Sequence, residues 1–207
     1  MKRIQYFLMT TEKYSDRREN IMKTWGQNQD IIFYSDVEHK DKNIIKVTDK
    51  NDYWSLEEKH VNIFKFLENN YLDYEWFFFG DDDTFVNTKK LEELSQIGEK
   101  NSAYGCLINC YPKIKTLYYH SGGGGILMHR NVLDKLSKTI ATKNTNFADV
   151  TLGICLREIN INMVNDDRFH SENNNTYGIN LEQIKDNITF HHITNYYEML
   201  KLHNSCQ

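Results

Sequence analysis

The sequence predicts an α/β fold, in which helices flank a central, mostly parallel β-sheet. In the first half of the chain, short apolar segments alternate with longer segments whose apolar residues recur at helical spacing, and this alternation is typical of such a sheet. Residues 76–79 are too few for a helix and rich in aromatic side chains, which indicates a buried central strand. At 207 residues the chain is long enough for one such domain, and we expect residues 1–207 to form it alone.

Composition excludes several classes of function. The net charge of -4 and the pI near 6.1 give no electrostatic basis for nucleic-acid binding. No apolar run approaches the length of a membrane span, and the amino terminus is typical of a strand and not of a secretion signal. We therefore expect a cytoplasmic protein of a bacterium or a virus-infected cell, free or peripheral at the membrane. The four cysteines lack the spacing of a zinc site and are expected to be reduced: Cys106, Cys110, Cys155 and Cys206.

In the first half, each element has a recognisable signal. Three short apolar segments predict strands: residues 4–9, 31–34 and 44–47. Two capping-box spacings predict the starts of helices, the first of which ends at Gly26: Asp16 with Glu19, and Ser55 with Glu58. Helical spacing predicts the buried faces of the second helix and of one after the aromatic strand: Val61, Phe64, Leu67 and Tyr71, then Leu91, Leu94 and Ile97.

The second half is less regular. Strands are predicted at residues 103–108, 126–128 and 188–193, with a surface loop at 166–186. A tyrosine-rich loop follows the first of them: Tyr111, Tyr118 and Tyr119. Two helices are predicted from their apolar faces: Val132, Leu133, Leu136 and Ile140, then Leu152, Leu156 and Ile159. Asn195 and Glu198 cap a last predicted helix, which extends to His203.

Three adjacent carboxylates, Asp81, Asp82 and Asp83, follow the aromatic segment directly. Adjacent carboxylates repel one another and are costly to bury unpaired, so a cation should lie beside them. Ligand crevices open at the carboxyl ends of strands in α/β sheets, and oxygen ligands suit divalent metals. The triplet therefore predicts a metal ion that carries a phosphorylated ligand. The alternative is a solvated acidic turn, which the apolar segments on both sides disfavour.

Three other features admit both a structural and a functional interpretation. Residues 122–125 are consecutive glycines that lose much chain entropy on folding, so they predict a close approach of the backbone to a ligand or to another segment. Asp149 precedes a predicted helix, where a carboxylate is a favourable N-cap. His191 lies in the predicted last strand. Its surroundings in the sequence, taken alone, indicate a structural histidine whose ring is hydrogen-bonded.

Several segments resemble, in order, the motifs of one family: residues 10–14 with Arg17, Arg18, Thr24 and Trp25; Tyr53, Leu56 and Lys59; residues 76–87; Ser121 with residues 122–125; residues 149–153; and Phe190 and His191 with Met199 and His203. These motifs resemble those of Fringe-like and core-1-synthase-like glycosyltransferases of the β-1,3-galactosyltransferase superfamily, glycosyltransferase family 31. The resemblance covers nearly the whole chain. Gly124 stands where the family pattern has Ala.

The resemblance implies a GT-A fold that binds a UDP-sugar through Mn²⁺, with Mg²⁺ as a substitute, and transfers the sugar with inversion to a hydroxyl. It implies that Asp83 and His191 ligate the metal, with His170 and His192 as competing histidines. Asp149 is implied as the base that deprotonates the acceptor. The other implied contacts are Asp81 and Asp82 with the nucleotide, Gly122 and Gly123 with the donor sugar, and Thr10, Thr11, Asp36 and Lys59 with the nucleotide.

The predicted function is transfer of galactose or N-acetylglucosamine from a UDP-sugar to a glycan or glycolipid, in a β-1,3 linkage. The acceptor stays open, because the acceptor-side loops are short and the disulfide framework of the family is not recognisable in this sequence. One alternative is a non-catalytic module that binds sugar nucleotides or glycans on the same fold. Another is a metal-dependent nucleotidyltransferase, which the missing Gly-rich phosphate loop after the first strand disfavours.

Overall fold

The structure, a computed structural model, describes residues 2–40, 43–70, 73–109, 117–140 and 145–207. The strands are β1 Lys2–Met9, β2 Ile31–Ser35, β3 Ile44–Lys46, β4 Tyr74–Asp81, β5 Phe85–Val86, β6 Ser102–Gly105, β7 Leu107–Asn109, β8 Tyr118–His120, β9 Ile126–His129, β10 Asn162–Asn165, β11 Phe169–His170 and β12 Thr189–Phe190. The α-helices are α1 Ser15–Met22, α2 Leu56–Asn69, α3 Thr88–Ile97, α4 Arg130–Ile140, α5 Ala148–Glu158, α6 Leu181–Ile184 and α7 Tyr196–Asn204.

Seven strands form the central sheet, in the order β10-β6-β9-β4-β1-β2-β3. Neighbouring strands are parallel except at β9, which runs antiparallel to β4 and β6. This confirms the predicted fold class, a mixed and mostly parallel sheet flanked by helices. Strands β1 and β4 lie side by side, and Met9 pairs with Asp81. The loops that follow these two strands therefore meet at one edge of the sheet.

Strand β4 is buried on both faces of the sheet, which is why its sequence is a continuous aromatic run and does not alternate with polar residues. On one face, the ring centroid of Phe78 lies 5.8 Å from that of Tyr6. On the other face, the centroid of Phe79 lies 4.8 Å from that of Phe64 in α2. A hydrophobic core results on each side of the sheet.

A smaller three-stranded sheet, in the order β11-β12-β5, joins the middle of the chain to its C-terminal part. Strand β12 runs antiparallel to β5, with Phe190 opposite Phe85. Because β5 follows the acidic triplet and β12 precedes His191, this pairing brings His191 to the edge where β1 and β4 end. Strands β7 and β8 form a separate two-stranded sheet.

Both predicted capping boxes are wrong. Helix α1 begins before Asp16 without a side-chain cap, and it ends before Gly26. Ser55 has helical dihedral angles and makes no cap hydrogen bond. Glu58 instead forms an ion pair with Lys50. Serine and aspartate side chains can form hydrogen bonds with several nearby backbone groups, so residue spacing alone does not determine a helix cap.

Some predictions failed because tertiary packing decides them. Leu91 and Leu94 of α3 are buried as predicted, but Ile97 at the helix end is 79% exposed. The predicted strand at 103–108 is divided between β6 and β7, which belong to different sheets. The predicted loop at 166–186 contains β11 and α6.

The last helix begins as predicted, with the Asn195 side chain accepting the N–H of Tyr197. The predicted strand at 188–193 is shorter, since β12 has two residues. Three cysteines are free thiols: Cys106, Cys155 and Cys206. Three residues of the sequence predictions lie outside the described ranges: Tyr71, Cys110 and Tyr111. Within those ranges, no helix combines the length and the apolar character needed to cross a membrane.

Candidate active site

A cavity of about 700 Å³ opens at the carboxyl ends of β1 and β4. Its walls include the loop after β1 with the start of α1, the acidic triplet after β4, β8 with the glycine segment after it, the segment that leads into α5, and the two histidines after β12. This is the edge of an α/β sheet at which ligands are expected. Sequence elements that are far apart along the chain therefore share one cavity.

Asp83 and His191 are direct neighbours in this cavity. The Nε2 atom of His191 lies 3.2 Å from Oδ1 of Asp83 and 3.7 Å from Oδ2 of Asp81. His192 contributes a second imidazole, with Nδ1 3.9 Å from Oδ2 of Asp83. One ligand atom from each of Asp83, His191 and His192 lies within 4.8 Å of the other two. These three side chains form a cluster that we call the Asp-His-His cluster.

Backbone hydrogen bonds fix the position of His191. The N–H of Ile193 donates to the carbonyl of Asp83 at 2.9 Å, which ties the histidine segment to the triplet. The Nδ1 of His191 donates to the carbonyl of Ser171 at 3.2 Å. That bond selects the ring orientation in which Nε2 faces the carboxylates, as is usual for metal-binding histidines.

The three carboxyl groups of the triplet differ in their proton affinity. Burial is the main cause that raises the pKa of Asp81 to about 7, and burial also raises the pKa of Asp82 to about 6. Burial alone would raise the pKa of Asp83, but His191 and Arg17 hold it below its usual value. Burial alone would lower the pKa of His191, yet its hydrogen bond to Asp83 raises it. The charges of Arg17 and His191 thus outweigh the effect of burial on the pKa at Asp83 but not at Asp81 or Asp82.

Arg17 is a site residue that the sequence analysis did not assign. Its Nη1 donates to Oδ1 of Asp82 at 3.1 Å and to Oδ2 of Asp83 at 2.9 Å. Its guanidinium carbon lies 3.8 Å from the ring centroid of Tyr14, within cation–π distance. The sequence signal that could have pointed to such a residue was the acidic triplet, since three carboxylates require positive charge nearby.

The loop after β1 contacts the triplet through Thr10, whose hydroxyl donates to Oδ2 of Asp82 at 2.6 Å. Arg18 donates to the hydroxyl of Thr10 at 3.1 Å and to the carbonyl of Thr11 at 2.7 Å. Thr10 and Thr11 line the cavity. Their position is consistent with ligand contact, and they are held by the same hydrogen-bond network as the acidic triplet.

Lys59 and Asp36 lie behind this loop instead of on the cavity wall. The Lys59 side chain is fully buried, and its Nζ lies 2.8 Å from Oδ1 of Asp36. Nζ also donates to the carbonyl of Thr10 at 3.2 Å. Removing one partner of a buried ion pair leaves an uncompensated charge, so this pair is strongly coupled to the fold around Thr10.

The close approach predicted for the glycines is to two other segments. A Cβ atom at Gly123 would lie 2.1 Å from Cε1 of His191, and one at Gly122 would lie 2.7 Å from Oδ1 of Asp149. The N–H of Gly122 donates to Oδ2 of Asp149 at 3.0 Å. The carbonyl of Gly123 accepts from the hydroxyl of Thr84 at 2.8 Å. Side chains at these two positions would displace the groups that face the cavity.

Asp149 is not the N-cap of its helix, so the structural interpretation of this residue is wrong. Phe147 occupies the N-cap position, and Asp149 lies in the first turn of α5. Its carboxylate lines the cavity and accepts from Gly122. A carboxylate in the first turn is also favoured by the helix dipole.

His170 is excluded as a member of the Asp-His-His cluster. Its Nε2 donates to Oδ1 of Asn187 at 2.6 Å, and its ring stacks on Phe190 with 4.7 Å between centroids. Burial lowers its pKa. His192 belongs to the cluster, with half of its side chain exposed.

The residues present fit a divalent cation. Carboxylate oxygen with imidazole nitrogen is a ligand set that suits Mn²⁺, and the Asp-His-His cluster offers it. Among the described residues, Oδ1 of Asp81 is a buried oxygen without a hydrogen-bond partner. A buried carboxylate oxygen without a partner is costly, and a cation beside the triplet would remove that cost.

The fold and the site define a class of protein, the GT-A-like proteins, with acidic residues at the carboxyl edge of a mostly parallel sheet. The family model described as Fringe-like matches residues 2–207, and the chain belongs to this family. A similar solved structure is that of a glycosyltransferase involved in the glycosylation of the major capsid of PBCV-1. It aligns with a TM-score of 0.59 and 14% identity over 98% of this chain and 99% of that chain. Family and fold together support a glycosyltransferase.

Proposed function

We propose that this protein is an inverting, metal-dependent glycosyltransferase that moves a sugar from a UDP-sugar to an acceptor hydroxyl. The observation that carries the proposal is the contact of two successive glycines with two functional groups, Gly122 with Asp149 and Gly123 with His191. A carboxylate suited to proton removal and ligands suited to a cation thus lie side by side. Inverting transfer requires both, a base for the acceptor and positive charge for the departing diphosphate.

Asp83 and His191 would hold the metal, Mn²⁺ or in its place Mg²⁺, and His192 is available as a further ligand. When bound, the cation would neutralise the charge that develops on the diphosphate. Arg17 adds a second positive charge at the same wall. Its guanidinium is already held by two carboxylates and by the Tyr14 ring, so it needs little reorganisation to contact a phosphate.

Asp149 acts as the base in this proposal. The hydrogen bond from Gly122 fixes the orientation of the carboxylate. The carboxylate takes the proton of the acceptor hydroxyl only as the oxygen attacks, so a strongly basic group is not required. Attack and departure in one displacement invert the configuration at the sugar carbon.

The loop after β1 and the triplet bind the nucleotide in this proposal. Thr10 and Thr11 contact it from the loop, and Asp81 and Asp82 contact it from the triplet. Lys59 and Asp36 act from behind the wall, because Lys59 holds the carbonyl of Thr10. Gly122 and Gly123 contact the donor sugar in this proposal, and their missing side chains leave room for Asp149 and His191 beside it.

UDP-galactose is the first donor to test and UDP-N-acetylglucosamine the second, with a β-1,3 linkage to a glycan or glycolipid, because the family motifs point to them. The similar solved enzyme takes part in the glycosylation of a major capsid. Protein-linked glycans therefore belong among the acceptors to test.

The experiment measures UDP release from a panel of UDP-sugars, with Mn²⁺ and with the metal removed by EDTA. We expect Mn²⁺-dependent release of UDP from one donor even without an added acceptor, because water can take the place of the acceptor hydroxyl. A protein that binds UDP and releases none from any UDP-sugar is a binding module, and the proposal is then wrong. Release that is equal with and without metal would contradict the role of the cation.

A further inference from the structure

Glu57 is a buried carboxylate on α2 that has no part in the proposed transfer. The residue is 7% exposed. Its Oε1 accepts the N–H of Thr145 at 2.8 Å, and its Oε2 accepts the N–H of Asn146 at 2.7 Å. The hydroxyl of Thr151 donates to Oε1 as well. Both oxygens of a buried charge are thus hydrogen-bonded, which is the condition for burying it without a large penalty.

The donors to Glu57 lie on both sides of Asp149 in the chain. Thr145 and Asn146 precede α5, and Thr151 lies in α5 just after Asp149. The hydroxyls of Thr145 and Thr151 are also 2.7 Å apart. The Glu57 carboxylate, on a neighbouring helix, therefore fixes both the residues that precede α5 and the first turn of α5.

The backbone at Asn146 shows that this segment has a defined and unusual conformation. Its φ is 65°, in the left-handed region, which few residues other than glycine adopt, asparagine among them. The bond from its N–H to Glu57 constrains this conformation. Glu57 also places negative charge near the N-terminus of α5, where the helix dipole favours it.

We propose that Glu57 is a positioning residue that holds Asp149 at the donor site. The inference rests on the proposed function, since it assigns Asp149 the role of base. Glu57 does not contact the substrate. It acts by restricting the conformations of the segment on which Asp149 lies. This restriction matters because small displacements of a reacting group have large effects on the reaction rate.

The test compares Glu57→Gln and Thr151→Val with the matched control Glu58→Gln, which changes the adjacent carboxylate on the same helix. The glutamine has one acceptor oxygen, so it can retain one of the two backbone bonds. Thr151→Val removes the hydroxyl with its bonds to Glu57 and Thr145, and Thr151→Ser restores the hydroxyl. The readouts are hydrogen exchange at residues 145–146, the kcat for hydrolysis of the UDP-sugar that the wild type turns over, and the Kd for UDP with Mn²⁺.

We expect Glu57→Gln to speed amide exchange at residues 145–146 and to lower kcat by about 10- to 100-fold, with the Kd for UDP unchanged within about twofold. Thr151→Val should show a smaller loss of kcat, and Thr151→Ser should recover it. In the Asp149→Asn background, Glu57→Gln should cause no further loss, because the two residues act as a unit. Glu58→Gln should match the wild type.

An unchanged kcat in Glu57→Gln and Thr151→Val would overturn the inference while leaving the proposed function intact. A parallel loss of kcat and UDP affinity would also overturn it, since a merely structural role predicts that result. If Glu57→Gln does not fold, the comparison of kcat between Thr151→Val and Thr151→Ser tests the inference. A wild type that hydrolyses no UDP-sugar rejects the proposed function itself, and the role of Glu57 with it.

Discussion

The Nε2 atom of His191 lies 3.2 Å from Oδ1 of Asp83, although the two residues come from distant parts of the chain. The pairing of β12 with β5 and the hydrogen bond from Ile193 to Asp83 create this contact. The acidic triplet and the late histidine segment are therefore parts of one site.

Removing the imidazole of His191 should weaken Mn²⁺ binding. We expect His191→Ala to raise the Kd for Mn²⁺ by at least about tenfold, because the loss of an outer-shell partner alone costs a metal site this much. The matched control is His170→Gln, since His170 bonds Asn187 away from the cluster and should bind Mn²⁺ like the wild type. Isothermal titration calorimetry with Mn²⁺ in the presence of UDP measures the Kd of both variants. Equal affinity in His191→Ala and the wild type would count against the assignment.

Neighbouring glycines should respond differently to an added methyl group. Gly123→Ala should abolish Mn²⁺ binding, because its Cβ would lie 2.1 Å from the His191 ring and displace it. Gly124→Ala should be tolerated better, because its Cβ would lie 3.3 Å from the His170 carbonyl oxygen and the Ser121 side chain, which need to shift by only a few tenths of an ångström, and the free energy of unfolding should change by about 1 kcal/mol or less. Titration with Mn²⁺ and chemical denaturation report the two effects. Identical behaviour of both variants would show that the contact with His191 is not critical.

Asp149→Asn should separate binding from turnover. The asparagine can still accept the Gly122 N–H but cannot take a proton, so kcat should fall by about 10²- to 10⁴-fold. UDP binding should persist, because the base acts only as the reaction proceeds. Initial rates of UDP release and titration with UDP measure the two quantities. A variant that keeps the wild-type rate would remove Asp149 from the mechanism.

The stability of the protein should depend on pH through His120. This histidine is buried, its Nε2 donates to the carbonyl of Val164 at 3.1 Å, and burial lowers its pKa to about 4. The unfolded chain therefore binds a proton at higher pH than the folded one, so stability is fully present above about pH 6.5 and is lost as pH falls toward 4. The loss due to this residue is on the order of 3 kcal/mol.

Denaturation from pH 8 to pH 4 in EDTA, where no metal contributes, tests this linkage. His120→Gln should show a weaker decline in stability with falling pH than the wild type. Parallel curves for the two proteins would mean that His120 is not the group responsible.

The central strand and the acidic triplet could be predicted from the sequence because their signals are local. A strand that is buried on both faces requires a continuous apolar run, and the carboxylates follow it without a gap. Asp83 and His191 were paired through the family motifs alone. No local property of the segment around His191 indicates that β12 returns to the triplet.

Arg17 and Glu57 could not be assigned for a related reason. Each is a charged residue near the start of a helix, where a solvated surface side chain is the ordinary expectation. Their partners come from distant segments: Asp82 and Asp83 for Arg17, residues 145–151 for Glu57. Likewise, helical spacing placed Ile97 in the core, but α3 ends there and the core does not extend to it.

The most direct test is a crystal structure with Mn²⁺ and UDP, measured at the manganese absorption edge. We predict an anomalous peak within ligand distance of both Asp83 and His191, with the diphosphate on the Arg17 side of the cavity. A peak at another place, or UDP bound in the cavity with no peak beside Asp83, would contradict it.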